Sequence, residues 1–171
     1  MRSFTNIIGV VVVIFLTLLF ISWGSLAKST TAAGGYIFIY EFHEPMHTNN
    51  TNYKITVTPS KIYFAIDAFA TVVYTDTLHL SRKKYTGFVK ALMALHITSR
   101  ERTDGPCVGT VTQYFQFYAG TSKQLKGMYN TCSPGFSTLA GDLPAAAALF
   151  QALIPDLEKK LDMVREESDD E

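Results

Sequence analysis

The string in this 171-residue chain that most suggests chemistry is His43-Glu44-Pro45-Met46-His47, a literal H-E-x-x-H. In zinc metalloproteases that spacing works because a helix sets two histidines on one face at i and i+4, with the glutamate beside them as general base. Here Pro45 sits between the histidines, a β-prone segment precedes them, and the turn-forming run Thr48-Asn49-Asn50-Thr51-Asn52 follows. Two helical turns cannot run through such a stretch, and no third ligand is recognisable downstream. His43 and His47 are therefore weak metal candidates in a loop, and neither a metal nor another cofactor is expected. His79 and His96 have no serine or cysteine nucleophile motif with them, and the chain has no Gly-x-Gly-x-x-Gly or Walker loop. No catalytic residue is assigned. The reading leans to a non-enzyme, with an exported hydrolase, whether or not metal-dependent through His43 and His47, as the rival.

Two weaker constellations point to binding. Arg82-Lys83-Lys84 places three cations in the first turn of an expected helix, where sequences usually put acids because the macrodipole is positive there. They are candidates for an anion or phosphate-headgroup contact, set against a plain solvated helix end. Tyr114, Gln116 and Tyr118 alternate along an expected strand and so share one face, which suits contact with a protein or a glycan. All nine tyrosines except Tyr85 fall on expected strands, so sheet packing accounts for most of them. Asn49-Asn50-Thr51 is a glycosylation sequon, meaningful only in a host that glycosylates.

The address is written at the N-terminus. Arg2 precedes an apolar run from Ile7 to Ile21, and Ser25-Leu26-Ala27 follows it as a small-residue cleavage pattern. Residues 1–27 are expected to be a signal peptide, with 28–35 as linker. Left uncleaved, residues 7–23 would be a short membrane anchor. Either way the body is expected outside the cytoplasm: periplasmic, extracellular or tethered. In such a compartment Cys107 and Cys132, the only cysteines, read as a disulfide. Closing their loop of about 25 residues would contribute about 3.5 kcal/mol on the chain-entropy account.

The elements that must carry these residues follow from period and punctuation. Tyr36–Phe42 reads as a strand, residues 53–67 as a hairpin turning at Pro59-Ser60, and 71–80 as a further strand with Val72, Tyr74, Leu78 and Leu80 on one face. Ser81 is placed to cap a helix over 82–96. Residues 110–119 and 123–132 form a second hairpin around Gly120, and Asp142 with Pro144 starts a last helix that Pro155 must kink or break. Ser-Lys at both hairpin turns, each followed some 20 residues later by a helix, raises a β-β-α duplication. The expected fold is α+β: an antiparallel sheet of about five to six strands with two helices on one face, preceded by the N-terminal hydrophobic helix. Residues 36–165 make the single domain and 166–171 an acidic tail.

Net charge is zero, with 15 basic and 15 acidic residues, but the sum hides a polarity. Residues 28–155 hold 11 basic and 7 acidic groups, a net of +4, whereas 156–171 hold 3 and 8, a net of −5. A mildly basic body of that kind gives no nucleic-acid signature. The reading that results is an exported or membrane-tethered binding or accessory protein acting through protein contacts in the cell envelope or outside the cell. A single-pass subunit of a membrane complex is a further alternative.

Overall fold

A computed structural model describes residues 35–45, 51–68, 70–105 and 110–169, apart from the side chains of Pro134 and 167–169. The expected leader helix, His47, Asn49 and Cys107 lie outside the described residues. Among the described residues, no helix is long and apolar enough to cross a membrane. The strands are β1 (Tyr36–His43), β2 (Thr51–Val57), β3 (Lys61–Ala68), β4 (Thr71–His79), β5 (Thr98–Ser99), β6 (Thr112–Ala119), β7 (Ser122–Asn130) and β8 (Leu139–Ala140). The helices are α1 (Arg82–Met93), α2 (Leu143–Gln151) and α3 (Leu157–Asp169).

Six strands join in one antiparallel sheet of order β4-β3-β2-β1-β6-β7. The first four form a meander. The β6–β7 hairpin then returns to the far side of β1, which becomes a central strand paired with both β2 and β6. Alternation sets which side chains enter the core: Tyr53, Ile55 and Val57 of β2 are buried, as are Phe38 and Tyr40 of β1 and Phe115 and Phe117 of β6. The intervening residues face the other way.

All three helices cover that apolar face. Phe150 of α2 stacks on Tyr40, with ring centroids 5.3 Å apart, and meets Phe88 of α1 edge-on at 5.1 Å. α3 contributes Leu157, Leu161 and Val164 to the same core. The fold is thus α+β with one more helix than the sequence suggests, because Pro155 breaks the last helix outright. The chain leaves α2 in tight turns and passes through Asp156 at φ 53° before α3 begins. α3 continues to Asp169, so Glu166, Glu167 and Asp169 lie on the helix.

Local capping works as the residue types dictate. Ser81 Oγ accepts from the Lys84 amide at 3.3 Å, and Asp142 Oδ1 accepts from the Ala145 amide at 3.1 Å. α1 ends at Met93, short of the expected His96, where the backbone turns left-handed at φ 50°. On β4 a register shift against Ile66–Asp67 inserts an extra residue, so Val72 and Val73 are 58% and 49% exposed and Val72 does not join Tyr74 and Leu78 inside.

The two edges of the sheet differ. Along β7, Met128 and Thr138 exchange hydrogen bonds of 2.9 Å, and the Asn130 amide donates to Ser137 Oγ, also at 2.9 Å. The segment ending in β8 therefore covers that edge. Gly127 is required there: a Cβ on it would lie 2.6 Å from the Leu139 side chain. The other edge is β4, the last strand in the order.

Candidate functional site: the open face of the sheet

With the helices on one side, no helix among the described residues packs on the opposite face of the sheet, as an antiparallel sheet allows, and its side chains are mostly half-buried or exposed. Two ladders cross it from edge to edge. One runs Thr77, Tyr63, Thr56, Ile39, Gln116, Lys126, and its neighbour runs Thr75, Ala65, Lys54, Glu41, Tyr114, Met128. Tyr63 is 45% exposed, whereas Met128 at the β7 end is covered by Arg102, whose Nη2 lies 3.4 Å from its sulfur. Arg102 in turn sits 4.4 Å above the Phe136 ring, so residues near 102 and 136 roof this corner.

The centre of the face is an electrostatic knot. Lys54 Nζ approaches Glu41 Oε1 at 2.9 Å across the β1–β2 pair, and His43 Nε2 lies 3.8 Å from Oε2, two residues along β1. The adjacent His43, aided by Lys54 and opposed by partial burial, pulls the Glu41 carboxyl down to about 2. The His43 ring meets Tyr114 edge-on, 5.1 Å between centroids. Tyr118 donates its hydroxyl to Gln116 Oε1 at 2.9 Å. Tyr114, Gln116 and Tyr118 therefore do share one face, each half-buried and each with a neighbour that fixes its orientation.

The other sequence candidates are scattered. His43 closes a strand, so the helical i, i+4 geometry of a zinc protease is not available to it. Among the described residues no group of three or more His, Cys, Asp or Glu side chains could hold a metal ion. Arg82, Lys83 and Lys84 occupy the exposed first turn of α1, on the helical side of the protein and away from the tyrosine face. Cys132 follows β7, and the bridge to Cys107 stays an expectation. Sequence reasoning missed Glu41 and Lys54, which become partners only through the β1–β2 register; the alternation of polar residues along each strand was the available signal.

Compared with protein-family models, with curated proteins and with solved structures, the chain matches none.

Proposed function

We propose that the chain is a non-enzymatic binding or accessory protein, exported or membrane-tethered, that engages a protein partner through the open face of its sheet. The observation that carries this reading is the tyrosine and glutamine group on β6, on the face of the six-stranded sheet that no described helix covers, oriented by the Tyr118–Gln116 hydrogen bond and the Tyr114–His43 ring contact. Tyrosines supply contact area at low entropic cost and keep a polar tip for the partner, and a preorganised face loses less on binding. The leader at residues 1–27, cleaved or kept as an anchor, supplies the address, and a Cys107–Cys132 bridge would suit that compartment.

A duplicated origin of the fold belongs to the same proposal. β2–β3–β4–α1 and β6–β7–β8–α2 each give a hairpin with Ser-Lys at its turn, a third segment alongside the second strand, and a helix, and the two hairpins flank β1.

The test is photo-crosslinking in cells with the full chain carrying benzoylphenylalanine at Tyr63 or Tyr118, compared with Lys159 or Met163 on α3. Discrete adducts from the sheet positions, lost on Tyr114→Ser, are expected. Equal labelling from both sides, or substrate turnover abolished by His43→Ala, would overturn the reading. N-terminal sequencing of the same protein separates a cleaved leader, starting near Lys28, from a retained anchor.

A further inference from the structure

A groove of about 570 Å3 lies on the helical side of the protein, between α1, the β3–β4 end of the sheet and the junction of α2 with α3. That volume is within the range of small-molecule sites. Its floor is Ile62, Leu80 and Phe88, all buried. It exists because small residues line it: Gly87 and Ala91 on α1 and Ala152 after α2, with nothing within 4 Å of where a Gly87 Cβ would project.

The lining is chemically lopsided. Lys84, Gly87, Phe88 and Ala91 fall at i, i+3, i+4 and i+7, one helix face about 10 Å long with the cation at one end. Lys84, exposed at the rim, is the polar side chain that α1 brings to the groove; His79 lines it at the end of β4, where alternation turns its side chain to the same face as Thr77, and among the described residues no carboxylate lines the groove. Arg82 and Lys83 share the first turn of α1 with Lys84, that turn carries no acid, and among the described residues none of the three cations has an ion-pair partner. Of the acids on the adjoining elements, Asp76 of β4 is held by Lys160 at 2.9 Å, and Asp156 follows Pro155 at the α2–α3 junction. An apolar trough that ends in unpaired positive charge complements a ligand of one apolar chain with an anionic head.

We propose that this groove binds a single-chain anionic amphiphile, its acyl chain laid past Gly87, Ala91 and Ala152 and its head held at Lys84. The site is separate from the tyrosine face, so either assignment can fail without the other.

The test uses cells making the full chain, fed a palmitic acid analogue that carries a diazirine and an alkyne, followed by irradiation and peptide mapping. Adducts are expected in the peptides covering 78–93 and 149–155. Adduct mass reads the source of the head: the free acid, or a phosphate ester after the cell has incorporated the probe. Gly87→Leu fills the groove with a better helix former and should cut labelling at least tenfold. Lys84→Glu, at an exposed position that packing does not constrain, should cut it about fivefold, with Lys84→Arg retaining it. Shorter analogues should label less, by about fourfold for each methylene that leaves the groove. Labelling spread evenly over the protein, or unchanged in Gly87→Leu, overturns the groove; labelling unchanged in Lys84→Glu overturns the anionic head.

Discussion

Asn130 offers the sharpest check on how the β7 edge is held. It is 2% exposed at the end of β7, and each of its polar groups has a partner. Its amide donates to Ser137 Oγ at 2.9 Å, Oδ1 accepts from the amides of Cys132 and Ser133 at 3.0 Å each, and Nδ2 donates to Thr110 Oγ1 at 2.9 Å. Asn130→Ala removes the three side-chain bonds and leaves two backbone donors without an acceptor. Each such donor costs about 1–3 kcal/mol when buried, and because the turn lies near solvent the lower half of that range applies, giving about 3 kcal/mol in all. In a unit of this size that lowers the thermal midpoint by roughly 8–12 °C and the urea midpoint by about 1.5 M. Urea unfolding of a 33–171 fragment without reductant, followed by circular dichroism, measures it; Ser137→Ala in the same background should couple to Asn130→Ala by at least about 0.5 kcal/mol. A loss below about 0.5 kcal/mol for Asn130→Ala, the size of an ordinary surface change, would refute the claim that Asn130 organises this edge.

Three further outcomes follow from the core and the sheet face. Phe150→Ala should cost about 3–5 kcal/mol in the same assay, and Phe150→Leu much less, because only the first leaves a cavity among Tyr40, Phe88 and Phe115. Glu41 has a folded pKa of about 2, below its ordinary value, so its contribution is complete above about pH 4.5 and fades as pH falls toward 2; after screening at this half-exposed site it amounts to about 1–2 kcal/mol, and Glu41→Gln should flatten the stability–pH curve across that window. Burial, with the Tyr53 hydroxyl beside it, pushes the Tyr40 phenol well above its usual range, so stability present below pH 10 is lost as pH rises beyond it; Tyr40→Phe should move alkaline unfolding to higher pH while changing little at neutral pH, since that hydroxyl is enclosed without a formed hydrogen bond.

Local rules read well wherever one segment contains its own instruction. Period-2 alternation placed Tyr53, Ile55 and Val57 in the core, Ser81 and Asp142 capped their helices, and Pro155 interrupted the last one. What the sequence hid depends on pairing across distance. The extra residue at Val72–Val73 arises only against Ile66 and Asp67 of the neighbouring strand, and a two-residue strand such as β8 has no period to read. The candidate face shows the same division: Tyr114, Gln116 and Tyr118 lie within one strand and were legible, whereas the contacts of Glu41 with Lys54 and of His43 with Tyr114 require registers set by the β1–β2 and β1–β6 pairings. The groove is further still from the sequence, since it needs α1, the sheet edge and the α2–α3 junction together.

The charge asymmetry of the sequence acquires a direction in the fold. An acidic C-terminal segment invites the expectation that it shields the basic start of α1, yet among the described residues no carboxylate of α3 pairs with Arg82, Lys83 or Lys84. The basic residues of α3 do the pairing instead: Lys160 reaches Asp76 at 2.9 Å and Tyr74 at 3.2 Å, and Arg165 reaches Glu44 at 2.8 Å. Those bonds fasten α3 to β4 and to the residue after β1 while occupying Asp76 and Glu44. Glu158 and Glu166 stay exposed on one helix, and the three cations stay exposed on another. A chain of zero net charge therefore presents a positive end beside an apolar groove and a negative helix elsewhere, and it is this separation, not the sum, that a charged partner would meet.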